Sequence, residues 1–264
     1  MKLKTLIPLA VLASAAFLVR AEPKETEAPK ALRVLLLTGG CCHDYDNQKL
    51  LIPAGIGERA NVEFTVIHEG GKGQKHQFEL LKKEGWEKNF DAVLYNICFA
   101  GEDDVEYIES VTNTHKAGLP AVALHCTYHS HHWKAKTDEW ERFIGVTSPN
   151  HGPHVAVTVT PAVPDHPVMK GFPATWITPK DELYNVDKVW PSATVLANGD
   201  NGKKNQPCVW VNDFDGTRVF GTTIGHYNET IAEPVFLDLL TRGLLWSVGK
   251  LDDEGKPLPG YGRK

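Results

Sequence analysis

Two hydrophobic rhythms divide this chain. Ala31 to Thr38 is apolar at every position but Arg33 and Thr38, the pattern of a strand buried on both faces. Val62 to His68 alternates and is rich in β-formers, a second strand, and Asp91 to Cys98 is a third. Between them Asn47 to Ala60 has helical spacing despite Pro53, and Gln77 to Lys83 reads as a short helix. Asp103 to Ala117 predicts an amphipathic helix with acids in its first turn, where the helix dipole favours them, and Gly118 at its end. Ala121 to Leu124 is the fourth strand. Strand and helix in this alternation predict an α/β domain with parallel strands and right-handed crossovers. The second half is richer in β pattern: His154 to Thr160 as one strand, Asp181 to Asn185, then Thr194 to Ala197, Cys208 to Asn212 and Arg218 to Thr222. Val235 to Val248 is a strong helix, and residues 250–264 read as a loose Pro/Gly-rich tail.

The N-terminus departs from both rhythms. A basic start, a short apolar run and Val19-Arg20-Ala21 predict a signal peptide over residues 1–21, cleaved before Glu22. Residues 22–30 would be a charged, disordered tether and 31–249 one domain. No second run reaches membrane length, so no integral span is expected after cleavage, and the mature chain would be periplasmic or secreted. Losing Lys2, Lys4 and Arg20 moves the formal charge from −5 to −8, which argues against a nucleic-acid partner. Five cysteines in an exported chain leave at least one free or metal-bound. Cys41 and Cys42 are adjacent, so no disulfide framework is assumed.

The chemistry gathers behind the fourth strand. Four of the twelve histidines, His125, His129, His131 and His132, fall within eight residues there. In an α/β domain the carboxyl ends of strands open into the crevice where ligands bind. If a helix starts near Cys126, one turn brings His125 and His129 to the same side, a spacing that suits a divalent metal such as zinc, manganese or nickel. A metal-free catalytic cluster, or plain hydrogen-bonded imidazoles, fits the same spacing. His43, Asp44 and His226 are candidates for the remaining ligands, while no nucleotide cofactor is expected. At most one of His131 and His132 can share a helical face with His129. His151 and His154 flank a turn that could wall a pocket, and His166 caps another. Asp181 and Glu182 supply the carboxylates, either of which could face inward, as a metal ligand or a general base. Tyr184 and Asn185 could bind hydroxyls. Trp133, Trp140, Tyr128, Tyr45 and Tyr227 could offer rings to the apolar face of a pyranose.

Six motifs in order resemble the trehalose-utilisation (ThuA-like) family: Gly39-Gly40-x-x-His43-Asp44, Leu124-His125, His166-Pro167-Val168-x-x-Gly171, Asp181-Glu182-Leu183-Tyr184, Arg218-Val219-Phe220 and Gly225-His226. The resemblance runs from about Ala31 to Gly249. It implies a flavodoxin-like, class I glutamine-amidotransferase-like three-layer sandwich with a mostly parallel sheet and a β-rich C-terminal elaboration. In that order the first and fourth strands should be neighbours, so His43 and His125 should meet. It further implies work on sugars, including 3-keto disaccharides, and places Glu182 rather than Asp181 at the site. The amidotransferase elbow Gly-x-Cys-x-Gly is replaced by Leu124-His125-Cys126-Thr127-Tyr128, so His125 takes the cysteine's place and glutaminase activity is not expected. The leading expectation is metal-assisted hydrolysis, elimination or isomerisation of a (3-keto-)glycoside, with His125, His226 and Glu182 catalytic. Asp44, Tyr45, Trp133, His151, Tyr184, Asn185 and Tyr227 would contact substrate. The rivals are a non-catalytic carbohydrate-binding protein and a hydrolase using Cys126.

Overall fold

A computed structural model describes Met1 and residues 30–263. Apart from Met1, the signal peptide and most of the tether read from the sequence lie outside the described residues. Strand β1 (Leu32–Gly40) leads into helix α1 (Tyr45–Gly57), and β2 (Val62–His68) and β3 (Ala92–Cys98) follow. Helix α2 (Val105–Lys116) then precedes β4 (Ala121–Leu124). Next come α3 (Glu139–Ile144), β5 (Val146–Thr147), β6 (Asn150–Val155), β7 (Thr158–Pro161), β8 (Trp176–Ile177), β9 (Asp181–Asn185) and β10 (Lys188–Val189). Strands β11 (Ala193–Asp200), β12 (Asn205–Phe214) and β13 (Thr217–Thr222), then α4 (Asn228–Ile231) and α5 (Pro234–Ser247), complete the order.

Nine strands form one sheet in the order β2-β1-β3-β4-β13-β12-β11-β7-β8. From β2 through β13 the pairs are parallel, and beyond β13 they are antiparallel. The expected elaboration therefore extends the same sheet instead of forming a separate layer. Period-two alternation along β1 sends Leu32, Val34 and Leu36 to one face and Leu35 and Leu37 to the other. The first face packs on Ile52 and Ile56 of α1 and Phe236, Leu240 and Leu244 of α5. The second packs on Tyr107, Ile108 and Val111 of α2 and Trp140 and Phe143 of α3. This is the expected α/β, flavodoxin-like three-layer sandwich.

Four details correct the sequence reading. The first and fourth strands are not neighbours, because β3 lies between β1 and β4. The run from His154 to Thr160 is broken: β6 leaves to pair with β9 in a separate two-stranded ribbon, and β7 joins the main sheet. Residues 125–129 form a 3₁₀ turn rather than an α-helix. The tail is pinned: Tyr261 packs on the core, its carbonyl accepts from the Asn61 N–H, and bridges join Ala60 to Gly262 and Leu251 to Pro257. Among the described residues no helix is long and apolar enough to cross a membrane.

Candidate active site at the carboxyl ends of the parallel strands

The site lies above the ends of β1, β3, β4 and β13. Gly39 and Gly40 end β1 at φ 139° and 107°, and a Cβ on Gly40 would stand 2.3 Å from the Cys98 carbonyl oxygen. Only glycine lets β1 close onto β3 so tightly and turn at once into Cys41-Cys42-His43. At the end of β4, His125 has φ 48°, a left-handed backbone rare for a side-chain-bearing residue. The strand thus turns sharply without flanking glycines, and His125 stands at the apex of an elbow.

His43, His125 and His226 converge there, with a ligand nitrogen from each within 4.8 Å of the others. The Nδ1 of His125 donates to the Thr223 carbonyl at 2.5 Å, which turns Nε2 into the site. That Nε2 is 3.3 Å from His226 Nδ1 and 3.2 Å from Glu182 Oε1, and Glu182 Oε1 is 3.2 Å from His226 Nδ1. The three atoms form a nearly equilateral triangle. Ligand atoms about 2.0–2.1 Å from one tetrahedral ion lie about 3.3–3.4 Å apart, so the triangle fits a face of such a coordination shell. His43 stands over it, its ring centroid 4.7 Å from that of His125 and 4.5 Å from that of His226. Burial, then the neighbouring imidazoles of His125 and His226, push its pKa down to about 2, and its buried Nδ1 has no hydrogen-bond partner. A neutral, unpartnered imidazole nitrogen is the form that binds a metal. The donor set therefore fits an imidazole-preferring divalent ion.

Glu182 comes from the ribbon. Period-two geometry in β9 turns Glu182 and Tyr184 to the site, while the buried Asp181 carboxylate accepts the backbone N–H of Glu182, Gly225 and His226. Asp181 thus positions the loop that carries His226. Burial raises the Asp181 pKa. Burial would raise Glu182 too, but the imidazoles of His125, His151 and His226 outweigh it and hold that carboxyl well below its ordinary range. Its second oxygen lies 2.9 Å from His151 Nδ1 and 2.8 Å from His154 Nε2, yet has no partner in hydrogen-bond alignment. The Tyr227 hydroxyl is 2.6 Å from His154 Nδ1. The Glu182 carboxylate raises the His151 pKa, against a smaller opposing effect of burial.

The remaining residues divide into those at the site and those away from it. Tyr184 is buried, its hydroxyl 3.4 Å from His125 Nε2. His129 is not in the trio: its ring stacks on Tyr184 at 4.2 Å, because a 3₁₀ turn of about three residues does not align positions four apart. Asp44 does not reach the imidazoles; it caps α1 by accepting from Asn47 and binds the Asn228 amide at 2.7 Å. Asn185 faces away, bonded to Asn150 and Lys204. Tyr128 and Trp140 are buried and line neither cleft at the site, Tyr45 is buried but borders the larger one, and Trp133 is 55% exposed at the mouth of the smaller. His131 packs on Trp140, and His132 faces Glu141. His154, only a wall candidate in the sequence, reaches Glu182 itself. A bulge sets His151 opposite Tyr184 and His154 opposite Glu182, so two residues three apart share a face that simple alternation would deny them.

Two clefts meet at this cluster. One, of about 280 Å³, is lined by His129, Trp133, Asn150, His151, Glu182 and Tyr184, and the other, of about 750 Å³, by Asp44, Tyr45, His68, Lys72, Tyr227 and Asn228. His43 and His226 border both. Cys126 is bonded to Cys98, and Cys41 to Cys42, so the thiol needed for a Cys126 hydrolase is engaged. Cys98 and Cys126 meet because β3 and β4 end side by side, whereas Cys41 and Cys42 are neighbours in sequence. Cys208 is the free cysteine and is buried.

The ThuA family, described as trehalose utilisation, matches residues 33–247. A ThuA-like protein from Parabacteroides merdae ATCC 43184 superposes with a TM-score of 0.69 at 19% identity, covering 89% of this chain and 97% of its own. One from Bacteroides uniformis ATCC 8492 gives 0.62 at 16%, covering 89% and 99%. The cytoplasmic protein STM1381 from Salmonella typhimurium LT2 gives 0.51 at 10%, covering 82% and 97%. At these identities the likeness is one of fold. No curated protein matches the chain. With its motifs in order and the family matched over most of its length, the chain belongs to the trehalose-utilisation (ThuA) family.

Proposed function

We propose that this chain is an exported, metal-dependent enzyme acting on a glycoside, with 3-keto-glycosides the leading substrate class. The observation that carries the reading is the triangle of His125 Nε2, His226 Nδ1 and Glu182 Oε1, with His43 above it. Two imidazole nitrogens and a carboxylate oxygen held so close in a largely dry site call for a cation between them. A zinc, manganese or nickel ion there would supply Lewis-acid polarisation of a carbonyl or hydroxyl oxygen. The chain's own groups do the rest. Thr223 and Asp181 fix the orientation of His125 and of the His226 loop. His151, at the cleft wall beside Glu182, gives or takes the proton that hydrolysis, elimination or enolisation next to a ketone requires. Trp133 and Asn150 line the path of the sugar. The family's description, trehalose utilisation, supports a carbohydrate ligand.

The test is metal content of residues 22–264 by mass spectrometry, beside His125→Ala, followed by a screen of 3-keto-glycosides with the identified metal. We expect a stoichiometric transition metal that the variant lacks. No metal in either protein, after reconstitution with zinc, manganese and nickel, would overturn the reading. Sugar binding without metal or turnover would favour a carbohydrate-binding protein.

A further inference from the structure

Four of the five cysteines come from three separate segments yet meet on one wall of the smaller cleft. Cys42 is exposed, Cys41 half-buried, and Cys98 and Cys126 are buried. The Cys41–Cys42 and Cys98–Cys126 disulfides touch, with Cys41 Sγ 3.7 Å from Cys98 Sγ. That is van der Waals contact between one sulfur of each pair, the separation from which thiol–disulfide exchange starts. The outer pair is reachable by an external thiol, whereas the inner one is shielded by it and by Tyr45.

We propose that these cysteines form a relay, in which electrons delivered by a dithiol at Cys41–Cys42 pass to Cys98–Cys126. The incoming dithiol attacks Cys42 Sγ and releases Cys41 as a thiolate. The second thiol of the donor then closes on the first, freeing Cys42 and leaving the donor as a disulfide. Cys41 attacks Cys98 Sγ, so the Cys41–Cys98 bond forms, Cys98–Cys126 breaks, and Cys126 leaves as a thiolate that takes up a proton released by the donor dithiol. Attack of Cys42 on Cys41 restores the outer disulfide and frees Cys98, which takes the proton from Cys42. In sum one dithiol is oxidised and Cys98–Cys126 is reduced. Reduction removes the covalent tie between the end of β3 and the turn after β4, next to His125. The relay involves no metal, so it stands apart from the enzyme reading.

The test is peptide mapping of chelator-stripped Cys42→Ser, alkylated with iodoacetamide under non-reducing conditions, with circular dichroism confirming the fold. We expect Cys41 linked to Cys98 and the alkyl group on Cys126. Cys41→Ser should slow reduction of Cys98–Cys126 by dithiothreitol about tenfold or more, because the relay sulfur is gone. Retention of Cys98–Cys126 with Cys41 alkylated in Cys42→Ser would overturn the relay. So would an unchanged reduction rate in Cys41→Ser, or four alkylatable cysteines in the non-reduced native protein.

Discussion

His115 allows a prediction about stability that does not depend on the candidate site. It lies at the end of α2, fully buried, with Nδ1 donating to the Leu119 carbonyl at 2.7 Å and Nε2 2.8 Å from the Tyr95 hydroxyl, which donates to it. Burial drives its pKa down from 6.5 to about 4, against a smaller upward effect of the Leu119 carbonyl. The folded ring therefore stays neutral while the unfolded chain takes up a proton below about pH 6.5. Its contribution is fully present above that pH and is lost as pH falls toward 4, where the folded ring also protonates. At pH 5 the unfolded ring is 1.5 units below its pKa, which amounts to about 2 kcal/mol of lost stability. Urea denaturation of chelator-treated protein at pH 7 and pH 5 measures this, beside His115→Phe, which keeps the stacking on Phe143. The variant should be less stable by about 2 kcal/mol or more at pH 7, because Tyr95 and Leu119 lose their partner. It should also lose about 2 kcal/mol less than the wild type between pH 7 and pH 5. Equal losses in both proteins would refute the reasoning.

Metal at about 100 times its dissociation constant should stabilise the wild type by about 2.7 kcal/mol, roughly 5–10 °C in Tm for a domain of this size, and a thermal-shift assay should show no such rise in His125→Ala. An equal rise in both would move the metal elsewhere. Asp181→Ala leaves three backbone N–H groups without their acceptor, so urea melts should show a loss of about 2–4 kcal/mol; an unchanged midpoint would mean the His226 loop is held by other contacts. Trp133→Ala removes a largely exposed ring and should leave Tm within about one degree while weakening sugar binding roughly fivefold by calorimetry. Unaltered affinity would take Trp133 off the ligand's path. Iodoacetamide on native, non-reduced protein should label Cys208 only slowly, since burial pushes its thiol pKa up; rapid labelling would contradict that environment.

What was legible in the sequence follows from which forces are local. The strands and the α2 and α5 helices carry their pattern in consecutive side chains, so the partly exposed edge strand β2 and the buried β4 both fall where their composition predicts. The elbow histidine was legible because an apolar strand ends abruptly in imidazoles. The site's second half was not, because it rests on pairing between distant segments. Gly152-Pro153 announces a break in the strand, but that the break is a bulge setting His154 opposite Glu182 appears only once β6 lies against β9. The choice between Asp181 and Glu182 was open for a related reason: alternation separates their faces, but only packing tells which face meets His226. Trp140 misled because an aromatic beside polar residues reads alike whether it caps a pocket or, as here, fills the core under α3.

The backbone at His125 has one more consequence. A left-handed conformation disfavours any side chain with a Cβ, and glycine or asparagine would meet it more easily. The same residue places a polar ring in a nearly dry pocket beside two other imidazoles and a carboxylate. Both penalties fall on one position, and neither is relieved by packing of the kind that fills the two layers of the core. Stability alone would not favour histidine there, so on the proposed reading position 125 is one where robustness and activity pull in opposite directions.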